Sequence, residues 1–300
     1  MKNTAYIFFL IVIFWSFAET VHGQAFDSGI NYITTNSANI KAAHNAYFRS
    51  EATASKPENL DAVMSESVLR SIESLSTDFL NFSSDDLEKV KEIFLWVAKN
   101  IDYDISAATN SASSNLNNNA ISVFYNGKGL CLGFAELFAT LCRHSGIDAR
   151  VIVGYAKGAN YDDNAKFAAP NHAWNSVKVN GKWRLLDVAW ASSLRLSIEE
   201  QFDNLPDNEF TDRYLLDYFM VSPTEFIKTH LPEDPFWQLI GEPVKLSTFE
   251  AGEAAIIGYI NNAPGAHINF EHLIAGHEDL DSLDRTICYY ERMIENNCNQ

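Results

Sequence analysis

Gly127-Lys-Gly-Leu-Cys131-Leu-Gly-Phe-Ala-Glu-Leu-Phe138 is the stretch on which the fold turns. A glycine-flanked cysteine opens an apolar run of helical periodicity, which continues through Ala139-Thr-Leu-Cys142-Arg-His144 and stops at Ser145-Gly146. That pattern predicts one amphipathic helix closed by a glycine stop. Cys131 falls in its first turn, where unpaired backbone N–H groups and the positive end of the helix dipole favour a thiolate. The thiolate is the nucleophilic form of cysteine. The ordinary fate of a free cysteine is burial as a small hydrophobe, so position alone does not make Cys131 a nucleophile. Cys142, among Leu137, Phe138 and Leu141, fits that ordinary fate, and it lies about three turns further along the same helix, too far to bridge to Cys131.

Two later residues give Cys131 its partners. His172 stands in Asn171-His-Ala-Trp-Asn175 and Asp187 in Lys182-Trp-Arg-Leu-Leu-Asp187, with Asn180-Gly181 between them. Asn-Gly flanked by strand-like runs signals a two-residue type I′ hairpin. With strands over 173–179 and 182–188 and Val179 paired to Lys182, Asp187 falls opposite Trp174. His172 shares a face with Trp174, because side chains alternate along a strand. His172 and Asp187 are then diagonal neighbours on one face, about 7–8 Å apart at the backbone. A β-bulge would break this register. Each residue alone reads as a strand end or a turn cap; together they suit an imidazole oriented by a carboxylate.

The order Cys131, then His172-Ala-Trp-Asn, then Trp183-Arg-Leu-Leu-Asp187 resembles the transglutaminase-like superfamily of papain-like thiol folds, in its kyphoscoliosis-peptidase-like branch. The resemblance takes in Phe94-Leu-Trp-Val97 and Asn100-Ile-Asp-Tyr-Asp104 upstream, and Tyr218-Phe-Met220, Pro223-Thr-Glu-Phe226 and His230-Leu-Pro-Glu-Asp-Pro-Phe-Trp-Gln-Leu239 downstream. It covers roughly residues 60 to 250 in order. Departures are Leu132, where many relatives carry an acidic residue, Phe134, where tyrosine is common, and Ala189, which replaces a common threonine. They leave the triad in place and bear on substrate preference.

The resemblance implies an α+β fold with a papain-like/transglutaminase-like core, its nucleophile helix packed on an antiparallel β-sheet. It implies acyl transfer at an amide carbonyl. Cys131 attacks, His172 handles the proton, and Asp187 fixes the imidazole tautomer. No cofactor and no metal are expected. One oxyanion donor is the Cys131 backbone N–H, and the second is expected from the loop before it, at a residue left unassigned. Water acting on the thioester makes a peptidase or amidase, the favoured outcome. A lysine amine makes a protein-crosslinking transglutaminase. A third alternative is a non-catalytic envelope binding or scaffold protein that keeps the fold. Trp174 and Trp190 flank the His and Asp positions and serve either as walls of an amine tunnel or as core.

The chain has 300 residues and a net charge of −17. Residues 1–23 read as a secretory signal: Lys2, then an apolar run from Ala5 to Phe17, with cleavage expected before Gln24 or, alternatively, after Ala25. The run is short for a membrane span, which needs roughly 20 residues, so no stable membrane insertion is expected after cleavage. The predicted location is secreted, or periplasmic and cell-envelope. Removing the signal takes away Lys2 and Glu19, so the acidity stays. That argues against nucleic acid or an anionic membrane as partner and leaves a peptide or protein substrate. The sequence sets no oligomeric state.

The rest divides into an N-terminal helical or irregular segment, 24–80, a transglutaminase-like domain, 81–250, and a mainly helical C-terminal tail, 251–300. A helix is expected around Ala42–Ser50 and another near Leu60–Leu80. Asp85-Asp-Leu-Glu88 resembles a capping box, opening a helix with Val90, Ile93, Phe94 and Val97 on one face. Ala107–Asn119 reads as a polar loop bordering the cleft. Ala149–Tyr155 reads as a strand, the chain beyond 190 as loop, Tyr214–Met220 as a strand and Ser282–Glu295 as a helix. Asp162 and Asp163 lack the spacing of a calcium loop, and His144, His230, His272 and His277 lack zinc-ligand spacing. Cys288 and Cys298 bridge only if a turn at Asn296-Asn297 breaks the last helix.

Overall fold

The computed structural model describes residues 60–109, 119–158, 161–162, 166–201, 208–263 and 268–297. The expected signal segment 1–23, the helix at 42–50, Asp163 and Cys298 lie outside them. Helix α1 (Leu60–Phe82) leads into α2 (Asp86–Asn100), whose N-cap Asp85 accepts the Leu87 N–H at 2.8 Å. The expected apolar face of α2, Val90, Ile93, Phe94 and Val97, is fully buried. The strand β1 (Asp102–Tyr103) and helix α3 (Ile105–Thr109) follow, so Ala107–Thr109 are helical where a loop was expected; positions 110–118 are outside the described residues. After α4 (Ala120–Asn126) comes β2 (Lys128–Gly129), which pairs in parallel with β1. The pair Tyr103 to Gly129 ties this upstream segment to the turn just before Cys131.

Helix α5 (Cys131–His144) is the predicted apolar helix. It ends at Gly146, φ 77°, with the Ile147 N–H closing back on the Cys142 carbonyl at 2.9 Å, a left-handed C-terminal cap that favours glycine. Cys142 is wholly buried, which raises its thiol pKa beyond the ordinary range. The antiparallel sheet comprises β3 (Ala149–Ala156), β4 (His172–Val179), β5 (Lys182–Leu186) and a later strand, β6 (His230–Pro232), in the order β5-β4-β3-β6. Asn180, φ 51°, and Gly181, φ 73°, form the hairpin turn, and Val179 pairs with Lys182 as the sequence predicts.

Helix α5 packs against β3 and β4. Asn175 in β4 fastens the two layers: its buried amide donates to the Ala135 carbonyl of α5 at 2.9 Å and to the Arg150 carbonyl of β3 at 3.2 Å. Such buried amide bonds fix register as well as contact. β4 is covered on both sides, which explains its nearly unbroken burial in an antiparallel sheet.

Between β5 and β6 the sequence expectation needs correction. The chain after Asp187 forms α6 (Val188–Gln201) and α7 (Asn208–Leu215), then a 3-10 turn over Leu216–Tyr218. Positions 190–201 are therefore helix rather than loop, and 214–218 are not strand. Among the described residues, strand pairing here is a single isolated bridge, Val221 to Leu185. Alternating Tyr, Leu and Phe here reflect two packed helical turns, since short apolar runs do not distinguish strand from helix. Helix α8 (Pro223–Phe226) then delivers the chain to β6.

Beyond β6, α9 (Leu246–Glu250), α10 (Glu253–Asn262), α11 (Phe270–Glu278) and α12 (Ser282–Asn297) make the C-terminal part helical, as expected. Ile274 of α11 joins the cluster of Ile152, Trp174, Trp183 and Leu185 on the sheet, and Ile256 of α10 joins Tyr155, Leu231 and Phe249. Among the described residues no helix is long and apolar enough to cross a membrane. Cys131, Cys142 and Cys288 are free thiols.

Candidate active site

Three elements converge on one place. Cys131 is the first residue of α5, His172 the first of β4, and Asp187 the residue that follows β5. His172 Nε2 meets Asp187 Oδ2 at 2.7 Å, with the imidazole 9% and the carboxylate 0% exposed. The predicted hairpin register brings them together, and Asp187 is locked beyond the strand end by its own backbone, whose N–H donates to the Tyr218 carbonyl at 3.0 Å. Asp187 Oδ1 accepts the Trp190 N–H at 3.0 Å, so the same carboxylate caps the start of α6. Cys131, at the head of α5, acts on the same ring and helps to raise its pKa. With Nε2 on the carboxylate, Nδ1 is the nitrogen left for sulfur.

Burial alone pushes His172 down. The Asp187 charge, with hydrogen bonds to Asp187 and Cys131, outweighs it and holds the imidazolium up to about 10. Burial alone pushes Asp187 up, and His172 and His230 together pull it well below the usual carboxylate range. A histidine raised above its ordinary 6.5 contributes stability that is whole below that value and lost as pH climbs through about 10. A carboxylate held low contributes stability present above its ordinary 3.8 and lost only as pH falls through its folded value. The charged pair therefore persists across the neutral range.

Sequence patterning missed His230. It is buried, its Nε2 lies 3.1 Å from the same Asp187 Oδ2, and its Nδ1 lies 2.8 Å from the Thr229 hydroxyl. His172, Asp187 and His230 present ligand-type atoms within 4.8 Å of one another. Oδ2 is already occupied by hydrogen bonds from both rings, so the trio reads as a proton network closed on itself. Tyr103 is the other addition. Burial first, then the charges of Cys131 and Asp187, push its phenol up to about 12, which keeps it an O–H donor. Its ring stacks at 6.2 Å on Phe134, one of the departures noted in the sequence.

The two tryptophans separate. Trp174 is 1% exposed and belongs to the core, whereas half-buried Trp190 stands 5.4 Å from the His172 ring and 4.3 Å from His230. Leu132, beside the cysteine, is 39% exposed, and Ala189 is buried.

Residues 73–188 match the family described as the transglutaminase-like superfamily. Kyphoscoliosis peptidase of Homo sapiens is 34% identical over 195 residues, covering 64% of this chain and 28% of the relative. The Mus musculus kyphoscoliosis peptidase gives the same figures. The matched stretch thus spans little more than a quarter of those relatives. A crystal structure of a TGase is 22% identical, covers 50% of this chain and 37% of the other, and superposes with a TM-score of 0.31.

Proposed function

We propose that this chain, whose residues 73–188 match the transglutaminase-like superfamily, is an exported thiol enzyme that cleaves amide bonds of peptides or proteins, with Cys131, His172 and Asp187 as its triad. The observation that carries the proposal is the 2.7 Å His172–Asp187 contact on a ring whose pKa the helix-start Cys131 also raises. The Cys131 thiolate adds to the amide carbonyl carbon and the carbonyl oxygen takes the electron pair. The Cys131 N–H and the Tyr103 O–H are the donors for that oxyanion. The tetrahedral adduct then collapses: the C–N bond breaks, Nδ1 of the His172 imidazolium gives its proton to the leaving amine, and a thioester remains. Neutral His172 takes a proton from water as it attacks the thioester, and Cys131 leaves as thiolate. Asp187 holds Nε2–H throughout.

Transfer to a lysine amine is the second outcome of the same thioester. It requires the amine to outcompete water at about 55 M in a dry, shaped channel. Trp174 is buried in the core and unavailable as a wall, leaving Trp190 alone of the two, which favours water. A glutamine-containing peptide supplied with and without a labelled primary amine, with Cys131→Ala as blank, is expected to give mainly the hydrolysed product. Efficient Cys131-dependent amine incorporation would reverse the choice of acceptor, and no turnover of any amide would favour a non-catalytic scaffold.

Export rests on the composition of residues 1–23, a basic start followed by an apolar run. Natively expressed protein is expected outside the cytoplasm with its N-terminus at or near Gln24. Retention of Met1, read by intact mass, would refute this.

A further inference from the structure

We infer that His230 is a positioning residue of the site, donating its Nε2 proton to Asp187 Oδ2 so that the carboxylate is fixed in the one orientation that aligns His172 with Cys131. This rests on the function proposed above and adds a fourth member to it.

Asp187 has three donors in place: His172 Nε2 at 2.7 Å and His230 Nε2 at 3.1 Å, both on Oδ2, and the Trp190 N–H at 3.0 Å on Oδ1. The terminal torsion of an aspartate is broad and nearly two-fold, so one ring and one backbone N–H leave the Oδ2 edge free to swing. A second ring on Oδ2 removes that freedom. His230 is itself held. Its ring stacks on Phe226 at 4.1 Å and lies against Trp190 at 4.3 Å and Trp174 at 5.1 Å, while Thr229 faces Nδ1. The titratable groups that face it are Asp187 and His172. Burial first, and the His172 charge after it, lower the His230 pKa against the pull of Asp187. The ring therefore donates a hydrogen bond without adding a second positive charge beside His172.

The fold is built to deliver this residue. His230 pairs with Ala156 at the start of β6, and the strand lies down on β3 only because position 154 is glycine. A Cβ there would stand 2.3 Å from the Leu231 carbonyl oxygen, 2.6 Å from Trp174 and 2.8 Å from the Pro232 Cα. Two of those clashes are with β6 backbone, which would have to back away and take His230 from Asp187.

The test compares the full-length wild type with His230→Phe, which keeps a ring and loses the donor, and His230→Gln, which restores an N–H near the Nε2 position. Iodoacetamide labelling of Cys131 is followed against pH, and kcat and KM are measured on a peptide amide. Losing one hydrogen bond to a buried carboxylate makes it easier to protonate, so in His230→Phe the acid limb of the pH–rate profile, where Asp187 is protonated, is expected to rise by about one pH unit. By analogy with other outer-shell partners, kcat should fall about 10- to 100-fold with KM unchanged, and His230→Gln should recover both. A merely structural role would lower the melting temperature alike in both variants and leave the acid limb in place; that result overturns the inference, as does a His230→Phe enzyme with wild-type kcat. Should neither variant fold, histidine-labelled NMR of the wild type decides. A protected Nε2 proton on His230 through neutral pH supports the inference, and its absence overturns it. A wild type whose Cys131 labels no faster than Cys142 refutes the triad itself, and with it the proposed function. That failure is visible before any His230 variant is compared.

Discussion

Cys131→Ala is expected to abolish amide turnover, a loss of roughly 10⁴-fold or more, while leaving the protein folded. The expected effect is large because a thiol nucleophile has no substitute in the site. It is selective because Cys131 is only partly buried and α5 keeps its Asn175 tether through Ala135. Substitution at such a position shifts stability by about 0.5 kcal/mol or less. His172→Ala should cost about as much as Cys131→Ala, and the double variant little more, because members of a triad act as one unit. Rates on a peptide amide, paired with thermal melts, check both halves. Turnover retained in Cys131→Ala would remove sulfur from the mechanism.

Asp187→Ala is expected to damage both activity and stability. Without the carboxylate, two buried imidazoles lose their acceptor, and a partnerless buried charge typically costs about 3–5 kcal/mol. Loss of the residue that sets the tautomer typically costs about 10⁴ in kcat. The pH behaviour should change with it. The Asp187 charge is the main influence raising His172 against burial. Wild type should thus keep an alkaline limb near pH 10, where the imidazolium deprotonates, and Asp187→Ala should lose protonated His172 at markedly lower pH. Melts and pH–rate profiles read both effects. A variant with wild-type stability and an unmoved alkaline limb would show that Asp187 does not govern His172.

The hairpin was legible from residues alone. Asn180-Gly181 fixes a two-residue turn, strand period fixes the faces, and together they bring His172 and Asp187 to one face. The span of α5 was legible too, since an apolar run of helical period from Cys131, closed by Ser145-Gly146, marks both of its ends. His230 was not legible as a site residue. It lies 43 residues beyond Asp187, past α6, α7, a 3-10 turn and α8, and no local period relates it to the hairpin. Its place depends on β6 joining the far edge of β3, a long-range pairing that rests on Gly154. Tyr103 was visible only within the motif Asn100-Ile-Asp-Tyr-Asp104. Its nearness to Cys131 follows from the two-residue parallel pair of β1 and β2, too short to carry a strand signal. The helices after Asp187 were misread for a related reason. Helix α6 takes its N-terminal cap from Asp187, and its Ser192 hydroxyl donates to the Ile101 carbonyl at 2.7 Å, so tertiary contacts rather than local propensity make that stretch helical.

The most direct measurement is the rate at which iodoacetamide labels each cysteine of the folded protein at about pH 6–7, where an ordinary thiol is mostly protonated and slow. In the proposed triad Cys131 is the nucleophile beside the His172 imidazolium, so it should label far faster than Cys142, which is buried and held as a thiol. Labelling of Cys131 no faster than Cys142 in the folded protein would contradict its assignment as the nucleophile.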